Sequence, residues 1–279
     1  MFQLSTYTLW VFLWFIQEPV VYHVVYDSTL ILDLHAPNSP YKQEMILSIG
    51  KNSSRYCEME IFKIHNNKNQ KNEPQPVINT TSARTVVGRP VLPVSNKGIV
   101  FREQLVVDVK NQLVHKIGQI GIKTYYVKKK LPSIKWEITS QQKTVLGYTC
   151  QMARGQYSGR NYSVWFTTDL PFTQGPWILH GLPGLILEVE DSTGEVQFKA
   201  KSITRSASTL ENTDSFYEYE KAIALKEKEY TKALTMFLED PEAYTQAQVN
   251  GAKVTTVNED TGQKTKIVGL KKYNPIERL

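Results

Sequence analysis

A connection bent by glycine and proline constrains the fold of this chain more than any other feature of its sequence. It contains Gly175-Pro176 and then Gly181-Leu182-Pro183-Gly184-Leu185-Ile186. Glycine there indicates positive φ or close backbone approach, and proline fixes φ and removes a hydrogen-bond donor. Because Trp177, Ile178, Leu182 and Leu185 are apolar, we expect the connection to fold inward as a plug beneath a sheet.

Strand-like segments lie on both sides of this connection. Residues 150–154 and 162–166 precede it, and residues 185–189 follow it. Other short segments are rich in strand-forming residues; they are 20–26, 45–50, 55–64, 98–105, 112–117, 122–127 and 134–139. No alternation of strands with helices occurs, which argues against a nucleotide-binding crossover fold. Regular short strands joined by turns predict a meandering antiparallel sheet.

The C-terminal part of the chain has a helical pattern instead. Ser215 and Glu218 match a capping box, and apolar residues then recur at helical spacing over residues 215–239. Asp240 and Pro241 are expected to end this helix and begin a second one. The predicted fold class is α+β and β-dominated, a curved antiparallel sheet or half-barrel covered by the C-terminal helix.

The first 17 residues have the length and apolarity of a secretory signal. They contain the apolar run 9–16, which is far too short to span a bilayer, although no Lys or Arg precedes it. A hydrophobic first strand is the alternative. No later segment is apolar enough to cross a membrane. We predict a signal-like segment at 1–17 and a single domain at 18–279 with a polar surface loop at 66–76.

The charge and cysteine content exclude several functions. The net charge is +6, but the densest basic run, Lys128-Lys129-Lys130, is too short for a nucleic-acid binder. Peripheral association with an anionic membrane surface is compatible with this charge. Cys57 and Cys150 cannot form a four-thiolate zinc site, but they could form one disulfide or remain two buried thiols. No phosphate-binding glycine motif occurs, and we expect no cofactor.

Four motifs occur in an order that resembles one known family. They are Gly147-Tyr148-x-Cys150-x-x-Ala153, Gly159-Arg160-x-x-x-x-Trp165, the hexapeptide Gly181-Leu182-Pro183-Gly184-Leu185-Ile186, and Asn274-Pro275-Ile276-Glu277. Together they resemble the GLPGLI family of Bacteroidota envelope proteins, which is named after the hexapeptide. The resemblance implies export to the periplasm or the outer membrane, and it carries no established reaction or catalytic residue.

The candidate ligand-binding residues surround the bent connection; they are Arg160, Trp165, Trp177, His180 and Leu182. The tryptophans, together with Trp136, could pack the core or line an apolar cleft. A buried arginine at position 160 needs a carboxylate partner, which makes it either a structural fork or an anion-binding residue. The nearby carboxylates are Asp169, Glu188, Glu190 and Asp191.

We therefore expect a non-catalytic binding or interaction protein of the cell envelope, whose partner is an envelope protein or an apolar ligand. The alternative is a hydrolytic or metal-using enzyme that gathers Cys150, Arg160 and His180 in one pocket. A structural subunit of an outer-membrane assembly is a third hypothesis. No metal-binding motif and no nucleophile elbow occurs, so the sequence indicates neither catalytic residues nor a metal site.

Overall fold

A computed structural model describes residues 19–63, 93–94, 103–206, 222–249, 257–258 and 269–278. The strands are β1 (Tyr22–Leu30), β2 (Tyr41–Ile49), β3 (Ser53–Glu58), β4 (Pro93–Val94), β5 (Glu103–Asp108), β6 (Leu113–Ile120), β7 (Lys123–Lys130), β8 (Trp136–Val145), β9 (Tyr148–Tyr157), β10 (Arg160–Thr167), β11 (Leu185–Asp191), β12 (Val196–Arg205), β13 (Ile223–Ala224) and β14 (Val257–Asn258). The helices are α1 (Glu227–Glu239) and α2 (Pro241–Gln248).

Twelve of these strands form one open, curved sheet. Its order is β13-β7-β6-β5-β3-β2-β1-β12-β11-β10-β9-β8, and β4 pairs with β14 in a separate two-stranded sheet. Neighbouring strands of the large sheet are antiparallel, except that β13 is parallel to β7. The prediction of a β-dominated fold with a curved sheet is confirmed, although the sheet is mixed rather than purely antiparallel.

The strand β1 joins two meanders into this sheet. One meander runs from β2 to β7 and the other from β8 to β12. Each pairs strands that follow one another along the chain, except that β3 pairs with β5 because β4 belongs to the separate sheet. β1 lies between them and pairs with β2 on one side and β12 on the other. The β1–β12 pair places Tyr22 opposite Arg205, a pairing that leaves no local signal in the sequence.

The strand β10 shows how the sheet separates its two faces. Tyr162, Val164 and Phe166 are buried in the main core, whereas Trp165 is half-buried on the opposite face. This is the two-residue alternation that an extended strand imposes. The helix α1 packs on β6 and β7 and buries four residues; they are Tyr230, Leu234, Phe237 and Leu238.

The bent connection between β10 and β11 folds inward, as predicted. Its apolar side chains are at most 6% exposed; they are Trp177, Ile178, Leu182 and Leu185. A Cβ atom on Gly184 would lie 2.0 Å from the carbonyl oxygen of Thr167, so the backbone passes β10 at a distance that only glycine allows. The Tyr26 hydroxyl donates a 2.6 Å hydrogen bond to the carbonyl of Ile186, which ties the connection to β1.

Two predicted elements have different bounds in the structure. The strand expected at 55–64 ends at Glu58, and residues 59–63 are helical. The helix expected at 215–239 begins only at Glu227, because Ile223–Ala224 forms the edge strand β13 and Lys226 is extended. The second predicted helix is confirmed.

Several predictions fall outside the described residues. They concern the signal-like segment 1–17, the polar loop 66–76 and the capping box at Ser215, so export and the single domain stay predictions. Within the described ranges, no helix has both the length and the apolarity needed to cross a membrane. Cys57 on β3 and Cys150 on β9 are buried free thiols, and the disulfide considered above is therefore not formed.

Candidate functional site

Arg160 is the first residue of β10, and its side chain binds residues 273–277. We call these residues the C-terminal segment. The Arg160 side chain is only 1% exposed. Nε donates to the carbonyl of Ile276 at 3.0 Å, and Nη2 donates to the carbonyl of Pro275 and to Oδ1 of Asn274, both at 2.8 Å. These bonds dock the C-terminal segment against the start of β10.

The remaining nitrogen of Arg160 binds two carboxylates. Nη1 donates to Asp191 at 2.5 Å and to Glu195 at 2.9 Å. Burial raises the pKa of Asp191, but hydrogen bonds from the Val196 backbone, Thr193 and Arg160 outweigh burial and hold the pKa below its usual range. All five donors of the guanidinium group are thus used inside the protein. The geometry is that of a structural fork, with no donor left for an external anion.

Glu277 is the last carboxylate of the C-terminal segment, and both of its oxygens are bound. Oε1 accepts from the Tyr157 hydroxyl and from Nε1 of Trp177, each at 3.2 Å. Oε2 lies 2.7 Å from Nζ of Lys129 and 3.6 Å from Nζ of Lys116. Burial raises the pKa of Glu277, but the two ammonium groups outweigh burial and hold the pKa at about 2. Glu277 is therefore ionised.

Lys116 on β6 is the most buried ammonium group of this cluster, with a side chain 6% exposed. Its Nζ donates to Glu227 at 3.0 Å and lies 5.6 Å from the ring centres of Trp177 and Tyr230. Burial lowers the pKa of Lys116, but the carboxylates of Glu103, Glu277 and Glu227 outweigh burial and raise it above its usual value. Lys116 is therefore charged.

A small cavity of about 30 Å³ opens beside these groups, between α1, the C-terminal segment and the core face of β5 and β6. We call it the Glu103 pocket. Its lining residues are Glu103, Lys116, Trp177, Tyr230, Thr231, Leu234, Tyr273, Pro275, Ile276 and Glu277. The volume is enough for a water molecule or a group of similar size, but not for a sugar ring.

Glu103 differs from the other carboxylates of the pocket. It is buried, and its Oε1 atom makes no hydrogen bond in the described part of the chain. The Tyr230 hydroxyl lies beside the Glu103 carboxyl group and interacts with it, although without ideal hydrogen-bond geometry. Burial raises the pKa of Glu103, and Lys116 and the Tyr230 hydroxyl offset this only in part. The pocket thus contains two carboxyl groups whose environments shift their pKa values in opposite directions.

The structure separates the residues that the sequence suggested as a ligand site. Arg160 and Trp177 both contact the C-terminal segment, whereas Leu182 lies in the core. Trp165 lies on the opposite face, with Nζ of Lys143 4.5 Å from its ring centre. His180 Nδ1 lies 2.9 Å from the carbonyl oxygen of Ile178, an intrachain contact beside the bent connection.

The predicted grouping of Cys150 and His180 with Arg160 has no support in their contacts. Burial raises the pKa of the Cys150 thiol to about 11, so this thiol is neutral. Burial also lowers the pKa of His180, only partly offset by its bond to the Ile178 backbone. Among the described residues, no three His, Cys, Asp or Glu side chains are arranged to hold a metal ion.

Sequence reasoning missed Glu103, Lys116 and Tyr230 as site residues. A signal was present, because Glu103 shares a strand face with Leu105 and Val107, and Lys116 shares one with Val114 and Ile120. A charged residue at an inward position of an apolar strand is rare unless it is paired. The pairing itself depends on long-range contacts between β5, β6, α1 and the C-terminal segment, which the sequence does not reveal.

Comparison with known proteins identifies a different family from the one that the motifs suggested. The family model described as "N-glycanase peptide, N-terminal domain" matches residues 59–228, more than half of the chain. Two structures of PNGF-II, in space groups P21 and C2, share 16% sequence identity with it at TM-scores of 0.51 and 0.52. They match over 77% of this chain, and the chain spans only 33% and 32% of theirs. No curated protein matches.

The GLPGLI resemblance was therefore wrong. It rests on four short motifs, whereas the N-glycanase family model matches a continuous range that includes most strands of the sheet. The glycine and proline motif describes a tightly packed turn, and such a turn is not proof of common descent. The non-catalytic envelope-binding function inferred from it is wrong as well. The alternative of a hydrolytic or metal-using enzyme with a site near Cys150, Arg160 and His180 stays a prediction. From residue 59 to residue 228 the sequence matches the N-terminal domain of N-glycanases, and the chain belongs to that family.

Proposed function

We propose that this chain takes part in the hydrolytic release of N-linked glycans, with the Glu103 pocket as the place of a proton-transfer step. Membership of the N-glycanase N-terminal domain family supports the substrate class. The chain spans about a third of the PNGF-II structures that it resembles.

The observation that carries the proposal is the contrast between two carboxyl groups in one pocket. Burial raises the pKa of Glu103 and favours its protonated form, whereas the ammonium groups of Lys116 and Lys129 keep Glu277 ionised. Environments that push two pKa values apart are the usual arrangement for a proton donor and a charged stabiliser. Glu103 is the proposed proton donor, and Glu277 holds Lys116 in place.

The size of the pocket determines what can enter it. A cavity of about 30 Å³ admits a water molecule or a small polar group but not a monosaccharide. The glycan is therefore proposed to lie outside the pocket. Only the reacting water or the leaving group would reach Glu103.

The test is a glycan-release assay with the purified chain and an N-glycosylated peptide. Mass spectrometry would follow both the freed glycan and the mass loss of the peptide. We expect release by the wild-type chain and a loss of at least about 100-fold in Glu103→Gln, because general acid catalysis contributes on the order of 10²–10⁴-fold. Glu137→Gln, at an exposed position of β8, is the matched control and should release glycan normally.

Two outcomes would contradict the proposal. If the folded wild-type chain released no glycan, the proposed activity would be wrong. Equal release by Glu103→Gln and the wild type would leave the activity but reject the Glu103 pocket as its centre.

A further inference from the structure

The tryptophans around the bent connection differ in what their rings contact. The ring of Trp177 lies beside the ammonium group of Lys116, and the ring of Trp165 lies beside that of Lys143. Trp136, the first residue of β8, is half-buried, and in the described part of the chain no cation or aromatic ring lies against its indole. Of these three rings, only that of Trp136 is without such a partner.

Two contacts fix the orientation of this indole. Nε1 of Trp136 donates a 2.8 Å hydrogen bond to the carbonyl of His180. A Cβ atom on Gly155 would lie 2.6 Å from Cε3 of Trp136, so the ring packs on backbone that only glycine leaves bare. Gly155 lies opposite Trp136 on β8 and opposite the buried Tyr162 on β10, which places the indole on the core face of the edge strand. A ring that is already fixed loses little freedom when a ligand binds to it.

The space beside the indole is open. Gly181 is exposed and has a φ of +94°. Among the described residues, a Cβ atom on Gly181 would meet only Nε1 of Trp136 within 4 Å, at 3.9 Å. The backbone N–H of Gly181 donates to the carbonyl of Thr173 at 2.8 Å, and Thr173 is itself exposed. The bent connection therefore leaves a gap next to Trp136, with a hydroxyl-bearing residue at its border.

His180 brings a hydrogen-bond acceptor to the same place. A carbonyl oxygen can only accept, so the 2.9 Å contact with Ile178 puts the proton of the neutral imidazole on Nδ1. Burial lowers the pKa of His180, which keeps this ring neutral near pH 7. Nε2 is then an unprotonated acceptor. It is not among the buried atoms and makes no hydrogen bond within the described ranges, so solvent reaches it.

These groups fit a neutral ligand that has both an apolar face and hydroxyl groups. The face of an aromatic ring carries negative charge density, which attracts the C–H groups of a pyranose ring. Nε2 of His180 can accept a hydrogen bond from a sugar hydroxyl. Glu137, the next residue of β8, lies opposite Arg154 on the other face of the sheet. The indole and the neutral imidazole therefore offer nothing to a phosphate or a carboxylate.

We propose that a sugar ring of an N-linked glycan stacks on Trp136 and donates a hydroxyl hydrogen bond to Nε2 of His180. We call this surface the Trp136 platform; it consists of Trp136, Thr173, His180 and Gly181. The choice of an N-linked glycan as the source of the sugar rests on the proposed function. The pairing of a fixed aromatic ring with a free acceptor does not depend on it.

The Trp136 platform lies on the same face of the sheet as the Glu103 pocket. Gly155 and Tyr157 are two residues apart on β9, so both side-chain positions face the core, about 7 Å from each other in an extended strand. Gly155 packs against Trp136, whereas the Tyr157 hydroxyl donates to Glu277, which lines the pocket. Tyr157 and Glu277 therefore lie between the platform and the pocket.

The test is isothermal titration calorimetry of the full chain with N,N′-diacetylchitobiose, the disaccharide at the base of N-linked glycans. This probe has no bond to asparagine, so binding is measured without release. We expect the wild type to bind it, and Trp136→Phe and His180→Ala each to bind about 3–10-fold more weakly, the usual effect of one aromatic contact or one hydrogen bond. Trp165→Phe, on the opposite face, is the matched control and should bind like the wild type.

Absence of binding by the folded wild type would overturn the proposal, and so would equal affinities in the wild type and all three variants. If Trp136→Phe and His180→Ala do not fold, hydroxyl-radical footprinting of the wild type decides. The disaccharide should then protect Trp136 from oxidation and leave Trp165 unprotected, and equal oxidation of Trp136 with and without it would reject the platform. The outcome is separate from that of the release assay, because neither readout requires a reaction at Glu103.

Discussion

Arg160 shows how much of the structure can depend on one side chain. Its five donors join β10, the β11–β12 turn and the C-terminal segment, and its side chain is buried. The sequence predicted that this residue needs a carboxylate, and Asp191 was among the four candidates. The sequence could not choose between the four carboxylates, because each lies near β10 along the chain. The turn after β11 determines which of them faces inward.

Replacement of Arg160 by lysine should strongly destabilise the protein. A lysine ammonium is a point charge with three donors, so it cannot match the planar fork and leaves buried acceptors unsatisfied. We expect a loss of about 3–5 kcal/mol in the free energy of unfolding, measured by urea denaturation. Arg154→Lys, at an exposed position of β9, is the control. A difference of less than about 0.5 kcal/mol between the two variants would disprove the structural role.

Two glycines provide a second comparison at this scale. Gly184→Ala should lower Tm far more than Gly147→Ala, because the new Cβ would lie 2.0 Å from the Thr167 carbonyl oxygen. Gly147 has open space around it but φ of +85°, so alanine there should cost only about 1–2 kcal/mol. Differential scanning calorimetry of both variants measures the difference. Equal Tm values would show that the bent connection is less tightly packed than described.

At the scale of secondary-structure elements, local patterns predict some features and miss others. The alternation of β10, the inward connection after it and the start of α2 could be predicted, because each depends on residues close together in the sequence. The start of α1 could not, since residues 223–224 add to the edge of β7 rather than extend the helix. The Glu103 pocket could not be predicted either, because its walls come from four distant segments.

The junction between α1 and α2 depends on one capping residue. Asp240 accepts a 3.0 Å hydrogen bond from the backbone N–H of Ala243, and Pro241 follows it as the first residue of α2. Asp240→Ala should therefore destabilise the protein by about 0.5–2 kcal/mol, whereas Asp240→Asn should retain most of the stability. Urea denaturation of the two variants tests this expectation. Equal losses would show that the side-chain cap is not what stabilises the junction.

At the scale of the whole molecule, the buried ion pairs connect the C-terminal segment to the opposite half of the sheet. Lys129 of β7 and Tyr157 of β9 both bind Glu277, although β7 and β9 lie near opposite ends of the strand order. The curvature of the sheet brings these strands to one residue. Acid should therefore affect the global stability of the fold and not only one surface.

The stability of the protein should fall as pH drops below about 4, the usual pKa of a free glutamate. Glu277 has a folded-state pKa of about 2, below its unfolded value. Its contribution is therefore complete above the unfolded pKa and is lost as pH falls toward 2. Urea denaturation at several pH values measures this slope. Glu277→Gln should flatten the slope, Glu190→Gln on the exposed face of β11 should not, and equal slopes in both would contradict the assignment.

The position of β1 between the two meanders has a consequence for synthesis on the ribosome. One edge of β1 can pair with β2 almost at once, but its other partner, β12, is made about 166 residues after β1 ends. At roughly 5–20 residues per second, that edge waits about 8–33 s with open N–H and C=O groups. A nascent chain with such an unpaired edge is a natural client for chaperones, and its early half is where misassembly would begin.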